Sequence, residues 1–119
     1  MRDGYVRPVI SLVDRRQQSE LKPMPFGYCI GHITVDDADA YRAYAGKDPA
    51  TIAVYGGEYL VRGGQSDVKE GDFPGARTVV IRFPSYEAAN AWYHGAEYSA
   101  IRPIREAVAS GALMIVEGV

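Results

Sequence analysis

Cysteine occurs once in the 119 residues, at Cys29, so no disulfide can form within the chain. A lone thiol suits a reducing compartment, and the cytoplasm is the expected one. Histidine is scarce as well. His32 and His94 stand far apart, and with one cysteine they offer no metal-ligand spacing. No metal and no cofactor is expected. An excess of positive charge is missing: 13 Lys and Arg face 15 Asp and Glu, a formal net charge of −2. Without a basic patch, neither nucleic acid nor an anionic membrane is an expected partner. No apolar run approaches the roughly 18 residues of a membrane helix. The N-terminus has no cationic segment leading into a long apolar stretch, so no signal peptide is expected. The segment G-G-E-Y-L-V-R-G-G matches neither the dinucleotide nor the phosphate-loop pattern. No Ser-His-Asp or Cys-His set can be assembled.

Tyrosine is what the chain has in quantity, nine in all. Each brings a rigid apolar body and one hydroxyl, suited to a core, an interface or a pocket wall. The length fits one domain with a usable core. Residues 1–25 read as an N-terminal extension or arm, and 26–119 as the domain. Within the extension, Val6 to Val13 has strand character, with Pro8 confining it to an edge. Pro23 and Pro25 then break any regular element. The extension is either loose or an arm that adds to a sheet edge or a second subunit.

Tyr28 to Val35 reads as a central strand, apolar on both faces. Asp36 and Asp37 offer an N-cap for a helix carrying Tyr41, Tyr44 and Ala45 on one face. Gly46 to Pro49 is expected to interrupt that helix, with a second segment over Ala50 to Tyr55. Gly56 or Gly57 is the expected C-terminal cap. Tyr59 to Arg62 is the second strand, with a bulge expected at Gly63 and Gly64. A short edge strand is expected at Asp67 to Lys69. Arg77 to Phe83 is the third strand, stopped by Pro84. Ser85 caps a helix from Tyr86 to His94. Gly95 breaks it, Tyr98 to Ser110 is a further helix closed by Gly111, and Leu113 to Glu117 is the last strand.

The order β-α-β-β-α-β predicts an α+β, ferredoxin-like fold: an antiparallel sheet with helices on one face. The strands are apolar on both faces, notably at Val79, Val80, Ile81 and Phe83. An uncovered apolar face predicts a homodimer, sheet against sheet.

The segments G-Y-C-I-G-H-I-T-V-D-D, Y-G-G-E-Y-L-V-R-G-G, V-V-I-R-F-P-S-Y-E-A-A-N-A-W-Y, A-E-Y and L-M-I-V-E-G, in this order, resemble domain-of-unknown-function family 1330. The resemblance runs from Phe26 to Val119. It implies the dimeric α/β-barrel superfamily, in which two ferredoxin-like sheets pair into a barrel. That superfamily includes small monooxygenases, isomerases and decyclising or haem-dependent enzymes, but the resemblance implies none of these activities in particular.

Two residues are candidates for catalysis. His32 can act as acid or base near neutral pH, or be a satisfied core histidine. Arg62, beside two glycines, can hold a carboxylate, or pair with Glu87 or Asp37. Glu87 also suits the first turn of its helix, and His94 a helix C-terminus. Tyr44, Trp92 and Tyr93, with Tyr41, either line a ligand pocket or build the core. The expected function is binding of a small organic molecule, aromatic or carboxylic, in each subunit of a homodimer. A catalytic version is cofactor-independent proton transfer or oxygenation, with His32 as base and Arg62 stabilising negative charge. The alternative is a non-catalytic sensor or structural dimer.

Overall fold

The structure is a computed structural model and describes residues 24–119. The strand expected at Val6 to Val13 lies outside the described residues. Four strands form one sheet: β1 (Gly27–Val35), β2 (Glu58–Arg62), β3 (Arg77–Phe83) and β4 (Ala109–Glu117). Their spatial order is β2-β3-β1-β4, and every neighbouring pair is antiparallel. Among the described residues there are also three helices: α1 (Ala38–Val54), α2 (Tyr86–His94) and α3 (Ala96–Val108). The order is β-α-β-β-α-β with the second helical unit divided at Gly95, an α+β arrangement of the ferredoxin-like kind.

The period of two along each strand decides what is covered. Cys29, Ile33, Val79, Ile81 and Phe83 point toward the helices and are buried. Cys29, Ile81 and Phe83 share one core cluster with Ile52 of α1, Ala89 and Trp92 of α2, and Tyr98 and Ile101 of α3. Trp92 is fully buried, with Phe83 and Tyr98 at ring-centre distances of 5.3 and 4.2 Å. No helix among the described residues is long and apolar enough to cross a membrane.

The caps follow their side chains. Asp37 accepts from the Ala40 N–H at 3.0 Å, and Ser85 from the Ala88 N–H at 3.0 Å. At the other end of α1, the Gly56 N–H reaches the Ala53 carbonyl and the Gly57 N–H the Ile52 carbonyl. Gly56 has φ +77°, so this is the paired-bond ending that favours glycine.

Several expectations are corrected. Helix α1 does not stop at Gly46 to Pro49 but runs unbroken for 17 residues through Pro49. The carbonyl that Pro49 leaves without its N–H, that of Ala45, receives Arg62 Nη2 at 2.6 Å. Asp67 to Lys69 is not a strand. The bulge lies at Leu60, between Tyr59 and Val61, rather than at Gly63 and Gly64. Gly111 does not close a helix. It lies inside β4, where a Cβ would run into the His32 carbonyl. Pairing with all nine residues of β1 extends β4 back to Ala109, so α3 ends at Val108 and begins at Ala96.

Candidate functional site: a buried carboxyl beneath the helices

Tyr44, Asp48, Thr51 and Ile52 are the buried residues of α1, and their spacing puts them on one face. Asp48 is thus aimed into the core, 1% exposed. Tyr59, on the helix side of β2, donates its hydroxyl to Asp48 Oδ2. Asp48 Oδ1 is buried and has no hydrogen-bond partner. A buried carboxyl oxygen left unpartnered costs free energy, so it calls for an explanation.

Around it runs a chain of donors. Arg105 Nε donates to the Tyr98 hydroxyl at 3.2 Å, and the Tyr98 and Tyr44 hydroxyls lie 2.8 Å apart. A guanidinium only donates. Either phenol can be the donor of the bond between them. Beside this chain, Trp92 Nε1 donates to Thr51 Oγ1 at 3.0 Å, and Thr51 donates to the Asp48 main-chain carbonyl at 2.8 Å. Arg62 covers the Tyr59 ring at 4.6 Å. It is exposed and Arg105 half-buried, so the cluster runs from solvent into the core.

Burial raises the Asp48 pKa above the ordinary carboxylate range. The Tyr59 hydroxyl, the Arg62 and Arg105 charges and the Tyr44 hydroxyl oppose that rise without cancelling it. Burial, then the neighbouring Asp48, pushes the Tyr44 and Tyr59 phenols above their usual values and the Cys29 thiol up to about 12. Near neutral pH these phenols and the thiol keep their protons. Asp48 holds its proton more tightly than an ordinary carboxyl.

The residues singled out from sequence separate. His32 projects from the uncovered face of the sheet, half-buried, with Nδ1 3.2 Å from Thr78 Oγ1 and its ring 4.8 Å from that of Phe73. Arg62 projects from the covered face, opposite Val79. The sheet lies between them, so the structure does not bring this pair to one molecule. Arg62 pairs with the Ala45 carbonyl rather than with Glu87 or Asp37. Tyr44 and Trp92 are buried, the first inside the Asp48 cluster and the second in contact with it through Thr51. Tyr93, half-buried against Trp92 and Tyr98, also lines a cleft of about 320 Å³ between α2 and β4 with His94. A second cleft, about 310 Å³, lies under the loop from Ser66 to Ala76 and reaches Thr78.

Asp48, Tyr59, Tyr98 and Arg105 were not singled out from the sequence. Their signal was periodicity. Asp48 lies four residues from both Tyr44 and Ile52, and Arg105 seven from Tyr98, which sets each on the face of its helix that meets the cluster.

An antiparallel sheet with helices on one face and a carboxyl–tyrosine cluster beneath them defines the class of this protein. The chain belongs to the family described as Domain of unknown function (DUF1330), whose profile matches residues 26–119. No curated protein matches it. Among solved structures, it is similar to the RPA0582 protein of unknown function from Rhodopseudomonas palustris, 14% identical with a TM-score of 0.64 over 97% of this chain and 95% of that one. A structure of methylated RPA0582 protein, also 14% identical, gives 0.66 over 97% and 93%. That likeness is one of fold.

Proposed function

We propose that the protein binds a small organic acid or phenol at the Asp48 cluster, one molecule per subunit of a homodimer. The observation that carries this reading is Asp48 Oδ1, buried and without a partner. Arg62 and Arg105, whose charges both act on Asp48, offer guanidiniums suited to an anion, and the phenols beside them offer hydroxyl donors. Tyr44 and Tyr59 form the polar wall, with Trp92 and Tyr93 behind them. The chemistry such a site supports is proton transfer without a cofactor. Asp48 takes a proton from the ligand, and the guanidiniums hold the resulting anion.

The dimer pairs two sheets face to face, as in dimeric α/β barrels. It is supported by an apolar row across all four strands, Val61–Val80–Ile30–Met114, on the face the helices leave bare. A second reading, a non-catalytic dimer module, is favoured by the complete burial of Trp92, which suits core packing.

Thermal denaturation against small phenols, quinones and carboxylic acids separates the two. Wild type is compared with Asp48→Asn, Arg62→Ala and, on the opposite face, His32→Ala. A compound that stabilises wild type and His32→Ala but neither of the others supports the site. Stabilisation unchanged in Asp48→Asn and Arg62→Ala, or none by any compound, supports the non-catalytic reading.

A further inference from the structure

Pro49 is a costly residue in the middle of a helix. It removes one intrahelical hydrogen bond, and its ring crowds the carbonyl four residues earlier. The residue before a proline also resists helical geometry, and here that residue is Asp48. An alanine at this exposed position would relieve all three costs. The carbonyl released is that of Ala45, and Arg62 Nη2 occupies it at 2.6 Å. The same guanidinium lies 4.6 Å over the ring of Tyr59, whose hydroxyl donates to Asp48.

We propose that Pro49 is a positioning residue: by withholding its N–H it leaves the Ala45 carbonyl free to hold Arg62 at the mouth of the Asp48 cluster. Arg62 sits at the last position of an edge strand, exposed to solvent, with the Tyr59 ring beneath it. The freed carbonyl fixes one of its donors and leaves the others for an anion. The helix gives up stability to place a charge, a trade common at binding sites. The purpose of this device rests on the Asp48 cluster being the binding site, but the coupling itself is measured without ligand.

The test is a cycle of wild type, Pro49→Ala, Arg62→Ala and the double variant. It has two readouts: Tm, and the titration midpoint of Asp48 followed by carboxyl carbon NMR. Pro49→Ala is expected to raise Tm, because alanine supplies the missing N–H. Arg62→Ala is expected to lower Tm by roughly 5 °C in wild type and far less in Pro49→Ala. The Asp48 midpoint should rise in both single variants, since Arg62→Ala removes the nearby positive charge and Pro49→Ala releases it from its anchor, and rise no further in the double. Equal costs of Arg62→Ala in the two backgrounds would overturn the proposal. So would an Asp48 midpoint that Arg62→Ala moves and Pro49→Ala does not. A full cycle with no stabilising compound in the panel would leave the positioning intact and remove the site, so the two failures are distinct.

Discussion

The two faces of the sheet use the same alternation and end in opposite surroundings. On the covered face, Cys29, Ile33, Ile81 and Phe83 are sealed beneath three helices. On the open face, Ile30, Val61, Val80, Met114 and Val116 occupy the intervening positions, and Met114 is 56% exposed. The covered face closes within one chain, and the helix above it buries one carboxyl there, Asp48. The open face leaves apolar side chains in contact with water. Chemistry needs a group whose water has been stripped away, and assembly needs an apolar surface that water still touches. On the proposed reading the two jobs fall on opposite sides of one sheet.

The largest expected effect is on the covered face. Trp92→Ala removes a fully buried ring and should cost about 3–5 kcal/mol in chemical denaturation. Met114→Ala on the open face should cost the isolated subunit under about 0.5 kcal/mol. Equal losses would erase the distinction between the faces.

A pH experiment sharpens the comparison. The folded protein holds the Asp48 proton more tightly than the unfolded chain does, because its pKa is raised by burial. Asp48 therefore contributes stability that is full below the ordinary carboxylate range and fades as pH rises through the raised value. Asp48→Asn removes that dependence. Its Tm relative to wild type should climb from about pH 4 upward. A parallel pair of curves would place Asp48 in contact with water. A modest effect is expected at the entry to α2, where Ser85→Ala loses one cap bond at about 1 kcal/mol.

Most of the fold was legible because its signals are local. Alternation in R-T-V-V-I-R-F, the caps at Asp37 and Ser85, and Gly56 each act within a few residues. The misreadings have a shared origin in contacts from far along the chain. Pro49 reads as a helix breaker until Arg62, thirteen residues on, takes the carbonyl it frees. Breaking α1 there put Asp48 in a turn, and the central residue of the cluster was lost with it. Gly111 reads as a helix stop until β1 pairs along the whole of β4. His32 and Arg62 were the conspicuous polar residues, but only the register shows that they point to opposite faces.

The comparison of faces is tested most directly by the native mass of the protein in solution, beside Val80→Glu. Val80 sits at the middle of the apolar row, half-buried and without a helix above it. Wild type is expected at twice the 13.0 kDa of one chain. Val80→Glu is expected as a single chain with an unchanged far-ultraviolet spectrum. A wild-type mass of one chain would contradict the division of labour between the faces, and so would a Val80→Glu variant that stays paired.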